Sequence, residues 1–163
     1  MTLYLDVDGV LNPSDPRDHI WSDWVPHEID VHKGGGLVLR FHVSLSLKQA
    51  DAIWDAAKGR IVWLSTWNQD NLANREIGSR LEWPAFPTLP YMEHEPDGRW
   101  WKWITLENAE RPERWVWIDD DLADQPEARA WAAENGGLAI APDYTVGLTP
   151  GHVEKIAAWL TSD

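Results

Sequence analysis

Apolar residues along the chain follow two different periods. Five short segments are almost continuously apolar, as buried strands are, and the stretches between them carry apolar residues three and four positions apart, as in amphipathic helices. Strands that alternate with helices predict an α/β fold with a mostly parallel sheet. The predicted strands are residues 3–7, 60–64, 85–89, 114–118 and 138–141. The predicted helices are residues 47–57, 68–80, 101–109, 125–134 and 150–160.

A period-two pattern interrupts this alternation after the first strand. Three apolar residues share one face between positions 25 and 31, and four more share a face between positions 37 and 43. Alternation of this kind predicts strands, and the intervening Lys33-Gly34-Gly35-Gly36 can supply positive φ angles at low cost. The segment is therefore predicted to form a β-hairpin.

The composition is typical of one folded domain. The chain has 163 residues, of which 44% are hydrophobic and 25% charged, and this length allows one sizeable core. No apolar run approaches the roughly 18 residues that a membrane span needs. The residues before Asp6 include no basic region of the kind that opens a signal peptide. We therefore expect a cytoplasmic protein without a membrane partner, and no sequence feature indicates a protein partner.

The net charge of −13, from 27 acidic and 14 basic residues, restricts the class of partner. A strongly acidic surface repels polyanions and disfavours non-specific binding to nucleic acid. A phosphorylated substrate is still compatible with this charge, because a bound divalent cation reverses the field locally.

Thirteen tryptophans are many for this length, and burial in the core is their default role. Some of them would also suit an aromatic platform for a nucleobase or sugar, although packing is the favoured interpretation. These candidates are Trp21, Trp24, Trp67, Trp100 and Trp101. The six histidines lack metal-ligand spacing, and the absence of cysteine removes thiolate metal sites.

Carboxylates and hydroxyls follow three of the predicted strands, at the point where each strand ends. Asp6 and Asp8 follow the first strand, Ser65 and Thr66 the second, and Asp119-Asp120-Asp121 the fourth. Ligands of open α/β sheets bind beyond the carboxyl ends of the strands, so these side chains could share one site. Several carboxylates repel one another unless a cation compensates them, and hard oxygen ligands favour Mg²⁺.

Four segments of the chain resemble, in the matching order, the motifs of the haloacid dehalogenase-like hydrolases. Asp6-Val7-Asp8-Gly9-Val10-Leu11-Asn12 resembles the first motif, and Leu64-Ser65-Thr66 resembles the second. Lys102 is similar to the third and Val116-Trp117-Ile118-Asp119-Asp120 to the fourth. An aspartate at the second position of the first motif, here Asp8, is typical of the phosphatases of that family rather than of its dehalogenases.

The resemblance implies a fold as well as a chemistry. We expect a three-layer, Rossmann-like, mostly parallel sheet with the strand order 3-2-1-4-5. A squiggle and a β-hairpin flap should follow strand one, which suits residues 13–45 as an insertion in a single domain over residues 1–163. An insertion of this length leaves no room for a large cap, so the protein would be of the small-cap or capless type.

The resemblance also assigns roles to the acidic residues. Asp6 corresponds to the nucleophile, which would form an aspartyl-phosphate. Asp8 corresponds to the acid–base residue, which protonates the leaving oxygen and later activates water. Mg²⁺ would be held by the Asp6 and Asp119 carboxylates and the Asp8 backbone carbonyl. Asp120 would support the metal directly or through water, and whether Asp120 or Asp121 ligates it is left open.

The remaining motif residues are expected to bind the phosphate. Ser65, with Thr66 beside it, would hydrogen-bond a phosphoryl oxygen, and Lys102 would neutralise charge and orient Asp6. Gly9 would let the backbone amides approach the other oxygens. Each residue also has an ordinary interpretation: Asp-Gly is common turn chemistry, Ser65 suits a plain strand end, and Lys102 suits an exposed helix position.

The sequence thus predicts a Mg²⁺-dependent phosphomonoester hydrolase. The run from Trp63 to Asn68 loosely resembles stand-alone domains associated with RNA repair, which suggests a phosphorylated nucleic-acid end as substrate. The acidic charge favours a small phosphoester such as a nucleotide instead. Two alternatives are a catalytically silent binding module that uses the tryptophans and a receiver-like phosphoacceptor domain. A receiver would carry its acceptor aspartate after a mid-chain strand, whereas the strand at 60–64 ends in Ser65.

Overall fold

The computed structural model describes residues 1–93 and 98–161, and within these residues a four-stranded parallel sheet and a separate two-stranded antiparallel sheet form the framework. The strands are β1 (Thr2–Leu5), β2 (Trp24–His32), β3 (Val38–Ser46), β4 (Ile61–Trp63), β5 (Trp115–Ile118) and β6 (Gly137–Ile140). The α-helices are α1 (Leu47–Ala57), α2 (Trp101–Asn108), α3 (Pro126–Glu134) and α4 (Pro150–Thr161). The predicted α/β class is confirmed.

The parallel sheet has the order β4-β1-β5-β6, so that β1 lies between β4 and β5. This order agrees with the expected 3-2-1-4-5 arrangement for four of its strands. The predicted strand over residues 85–89 is present only as a single parallel bridge, between Thr88 and Trp63 of β4. Prolines at positions 84, 87 and 90 explain this, since a proline has no N–H to donate to a strand ladder.

Both faces of the sheet are covered, which gives the three predicted layers. Leu3 and Leu5 belong to a buried cluster that includes residues of α1 and α4, whereas Tyr4, between them, belongs to a second cluster with residues of α2 and α3. Alternate residues of a strand point to opposite faces, so the helices lie in two layers around the sheet. Trp115 and Trp117 are fully buried in the second cluster, as the packing interpretation of the tryptophans predicts.

The helix predicted over residues 68–80 forms only in part. A 3₁₀ segment (Thr66–Asn71) and a single π turn (Ala73–Gly78) occupy this region, and Asp70 has a left-handed φ of 55°. The side-chain amide of Asn68 donates, at 2.8 Å each, to the main-chain carbonyl oxygens of Trp63 and Leu89. These bonds attach the segment to its neighbours, and side-chain bonds to the backbone of this kind compete with helix formation.

The predicted β-hairpin is present as β2 and β3, which pair antiparallel along their whole length. Its turn has positive φ angles at Gly35 (74°) and Gly36 (80°), as the glycine run predicts. The buried residues of the hairpin face the domain, and the Phe41 ring lies 5.2 Å from the Trp67 ring, beside the carboxyl end of β4. Among residues 1–93 and 98–161, none of the helices has the length and apolar character needed to cross a bilayer.

Candidate active site

The register of β1 and β5 brings two aspartates together. Leu5 pairs with Ile118, so the next residue of each strand, Asp6 and Asp119, comes at the same carboxyl edge of the sheet. The Asp6 amide extends the pairing by donating to the Ile118 carbonyl oxygen at 3.1 Å. Both carboxyl-bearing residues are buried, at 5% and 0% exposure.

Three carboxylates meet at this edge. Asp6, Asp119 and Asp120 each offer one oxygen, and these oxygens lie within 4.8 Å of one another. The exposed Asp121 lies outside this group, although its amide donates to Asp119 Oδ1 at 3.2 Å and thereby fixes that carboxylate. Asp120 is therefore better placed than Asp121 to provide a third ligand oxygen.

Lys102 joins two of these carboxylates from the first turn of α2. Its Nζ lies 2.6 Å from Asp6 Oδ2 and 2.8 Å from Asp119 Oδ2, and its side chain is 3% exposed. The interpretation of Lys102 as an exposed helix lysine is therefore wrong. Trp100 and Trp101 flank the ammonium, with ring centroids 5.6 and 5.8 Å away, and both are buried. These two rings enclose the lysine rather than form an open platform.

The electrostatics of the group suit a divalent cation. Burial, followed by repulsion from Asp6, raises the pKa of Asp119 well above its ordinary range despite the contact with Lys102. Burial and the neighbouring Asp121 and Asp6 carboxylates raise the pKa of Asp120 to about 6. Burial by itself lowers the pKa of Lys102, but Asp6 and Asp119 outweigh it and raise that pKa above its usual value. One ammonium thus leaves the carboxylates under-compensated, and clustered hard oxygen donors are the ligands that Mg²⁺ prefers.

Asp8 is held apart from this group. Asn12 Nδ2 donates to Asp8 Oδ1 at 2.8 Å, and Trp67 Nε1 donates to Asp8 Oδ2 at 2.8 Å. Burial raises the pKa of Asp8, although both of these bonds act in the opposite direction. The side chain therefore lies outside the group of three ligand oxygens, and metal binding by its backbone carbonyl stays a prediction.

Gly9 has two structural reasons to be a glycine. Its φ is 65°, and a Cβ atom added there would lie 2.3 Å from Asp120 Cγ. The Asp120 carboxyl thus packs directly on the Gly9 backbone. The Gly9 amide already donates to the Asn12 carbonyl oxygen at 2.9 Å, so a phosphate contact from this amide would have to replace that bond. Phosphate binding at Gly9 stays a prediction.

Ser65 and Thr66 follow β4 as predicted. Leu64 N donates to Leu5 O at 2.9 Å, which keeps this end of the chain beside Asp6. Ser65 is fully buried and its Oγ accepts the Trp67 amide at 3.3 Å, so its hydroxyl hydrogen can still be donated elsewhere. Thr66 is exposed at the rim of a cavity of about 230 Å³ that also borders Asp8. Both phosphate-binding roles stay predictions.

Asn12 and Trp67 are the site residues that the motifs did not assign a role. Asn12 stands at the end of the first motif, and Trp67 follows the second, but only the folded chain brings their N–H groups to Asp8. The signal available in the sequence was position, because Asn12 is the last residue of the first motif and Trp67 directly follows the second.

The sheet order, the carboxylate group and the buried lysine together define the class as the haloacid dehalogenase-like (HAD) fold. A family model described as the HAD domain in Swiss Army Knife RNA repair proteins matches residues 2–153, so the chain belongs to that family. The resemblance drawn from the four motifs is thereby confirmed. No curated protein and no solved structure matches the chain. HAD proteins are generally hydrolases or phosphatases and usually use Mg²⁺, which the three carboxylates could bind.

Proposed function

We propose that this protein is a Mg²⁺-dependent phosphomonoester hydrolase in which Asp6 forms an aspartyl-phosphate. The observation that carries the proposal is the buried contact of Lys102 with both Asp6 and Asp119, with Asp120 in the same group. The Asp6, Asp119 and Asp120 carboxylates would hold Mg²⁺. The bound cation would stabilise the negative charge on the phosphoryl oxygens.

The contacts of Asp6 suit a nucleophile. Its Oδ2 faces Lys102, and its Oδ1 accepts the Val7 amide at 2.7 Å, so the carboxylate has one fixed orientation. Orientation of this kind is a large part of catalysis in phosphoryl transfer, where the enzyme mainly positions groups and stabilises charge. The Asp6 oxygen would attack phosphorus while the ester oxygen departs, and hydrolysis of the aspartyl-phosphate would then regenerate Asp6.

Asp8 has the environment of an acid–base residue. Burial raises its pKa from the ordinary aspartate range, so a larger share of molecules carries the proton near neutral pH. In the first step that proton would pass to the leaving oxygen, and in the second the ionised Asp8 would take a proton from the attacking water. A receiver-like phosphoacceptor domain would keep its phosphoryl group and would therefore need no acid–base residue in the position of Asp8.

For the substrate, we propose a nucleotide or a phosphorylated nucleic-acid end. The family description, which refers to RNA repair proteins, favours the nucleic-acid end. The net charge of −13 favours a substrate with few phosphates, or the terminus of a chain rather than its length. A cytoplasmic location likewise remains our expectation.

The test is hydrolysis of p-nitrophenyl phosphate with Mg²⁺ or with a chelator. We expect turnover that needs Mg²⁺ and is lost in Asp6→Asn, with Asp70→Asn as the control because Asp70 is exposed and bonded to Lys33. A panel of mononucleotides and of 3′- or 5′-phosphorylated oligonucleotides then ranks the substrates by kcat/KM. Equal turnover with and without Mg²⁺, or an active Asp6→Asn, would refute the mechanism. An enzyme that retains the phosphoryl group indefinitely would favour the receiver-like alternative.

A further inference from the structure

The two donors to Asp8 share a second property: each of them also contacts β3, the second strand of the hairpin. Asn12 accepts the Ser44 amide on its Oδ1 at 2.9 Å while its Nδ2 donates to Asp8. Trp67 donates to Asp8 and packs its ring against Phe41. The Asp8 carboxylate is therefore bonded only through residues that also touch the hairpin, as far as the described residues go.

From this geometry we infer that Asn12 and Trp67 are positioning residues, which hold the Asp8 carboxyl in the direction of the leaving oxygen and couple that direction to the hairpin. The inference rests on the proposed phosphatase function and goes beyond it, because the family motifs assign no such role to either residue.

Two bonds, one to each oxygen, leave the Asp8 carboxyl little rotational freedom. Asn12 binds one oxygen and Trp67 the other, both at 2.8 Å, and Trp67 is only 6% exposed. A carboxyl group has about four lone-pair directions, so two N–H bonds leave room for the proton that is to be transferred. A general acid must come within hydrogen-bond reach of the leaving oxygen, and so its direction decides its efficiency.

The chemistry of the first step provides a selective readout. The Asp6–phosphorus bond forms, the phosphorus–ester oxygen bond breaks, and the proton of Asp8 passes to the departing oxygen, which leaves as an alcohol. A strongly acidic leaving group such as dinitrophenol departs without that proton, whereas an alkyl alcohol needs it. A misplaced Asp8 carboxyl therefore slows the hydrolysis of esters with poor leaving groups selectively. A general loss of structure slows the hydrolysis of both kinds of ester equally.

The experiment compares kcat/KM for an alkyl phosphate and for 2,4-dinitrophenyl phosphate, with Mg²⁺, in wild type, Trp67→Phe and Trp21→Phe. Trp67→Phe keeps a ring against Phe41 and removes the N–H. Trp21→Phe is the matched control, because Trp21 is 8% exposed and its Nε1 donates at 2.7 Å to Leu148 O, away from Asp8. General acid catalysis contributes on the order of 10²–10⁴-fold, so we expect Trp67→Phe to lose about tenfold or more on the alkyl ester.

We expect the same variant to lose less than about threefold on the dinitrophenyl ester, since general acid assistance is not needed there. Asn12→Ala should show the same selective loss, and Trp21→Phe should change kcat/KM for the two esters by the same factor. Equal losses on both esters in Trp67→Phe, or no loss on either, would overturn the inference.

A second measurement needs no turnover. In the Mg²⁺-loaded protein, the hydrogen exchange of the Trp67 indole N–H, followed by NMR, should become faster in Asp8→Ala, while that of Trp21 stays as in wild type. An unchanged Trp67 rate would refute the positioning contact. A wild-type protein that hydrolyses neither ester would instead refute the proposed phosphatase, and the exchange experiment would still decide the contact.

Discussion

Replacing Lys102 by methionine tests the electrostatics of the site without touching a proposed ligand. Lys102 Nζ lies 2.6 and 2.8 Å from two buried carboxylates, and Lys102 is the partner that both of them share. Methionine fills a similar volume but leaves both carboxylates uncompensated. Removing one partner of a buried ion pair costs about 3–5 kcal/mol of the free energy of unfolding.

A bound metal should return part of this loss. Mg²⁺ at a hundred times its dissociation constant adds about 2.7 kcal/mol to the free energy of unfolding when the folded state binds it and the unfolded state does not. Urea unfolding of Lys102→Met at pH 7 measures the loss of stability in chelator and the gain when Mg²⁺ is added. The control is Lys33→Met, because Lys33 pairs at 3.1 Å with an Asp70 side chain that is 61% exposed. An exposed pair contributes about 0–1 kcal/mol.

The expected result is a large loss for Lys102→Met in chelator, a rise in the free energy of unfolding of that variant when Mg²⁺ is added, and a small loss for Lys33→Met in both conditions. The electrostatic account would be refuted if the two variants lost the same stability. It would also be refuted if Mg²⁺ restored nothing to Lys102→Met, since the cation is expected to compensate the same carboxylates.

Three further outcomes follow from the site. In chelator, Asp120 binds a proton more readily in the folded than in the unfolded chain, because its pKa is raised to about 6, so its contribution to the free energy of unfolding should rise as pH falls from about 6 to 4. Urea unfolding at several pH values should show a shallower slope in Asp120→Asn than in wild type, because one of the carboxyl groups with a raised pKa is removed; an identical slope in the variant would contradict the assignment. Gly9→Ala should weaken Mg²⁺ binding in calorimetry, because its Cβ would meet Asp120 Cγ at 2.3 Å, whereas Gly34→Ala, which meets nothing within 4 Å, should bind as wild type does. Asp119→Asn should also weaken Mg²⁺ binding, by more than Asp121→Asn does, and equal affinities would mean that Asp119 is not a ligand.

The centre of the fold was predictable from the sequence because it depends on local patterns. Apolar runs indicate the strands, and parallel strands place their carboxyl ends together, so the proximity of Asp6 and Asp119 follows from strand register. The partnership with Lys102 was accessible only through the family resemblance. Lys102 is 96 residues from Asp6, and no local pattern in the sequence predicts that a lysine on α2 is buried.

Other features depend on tertiary contacts that leave no periodic signal. The helix predicted over 68–80 has apolar residues at suitable positions, but the Asn68 amide bonds two neighbouring carbonyls and only residues 73–78 form a helical turn. The Trp67–Asp8 bond joins residues 59 positions apart through one indole N–H, and a tryptophan after a strand is ordinarily assigned to the core. Such contacts are specific to the folded chain and follow from no single-residue rule.

The central claim is that Asp6 carries the phosphoryl group. The direct measurement is acid quenching of the Mg²⁺-loaded protein during turnover, followed by mass spectrometry of the peptide that contains Asp6. The account predicts a mass gain of one phosphoryl group on Asp6, removed by hydroxylamine and absent with chelator. Turnover that proceeds with Asp6 unmodified, and that survives Asp6→Asn, would contradict it.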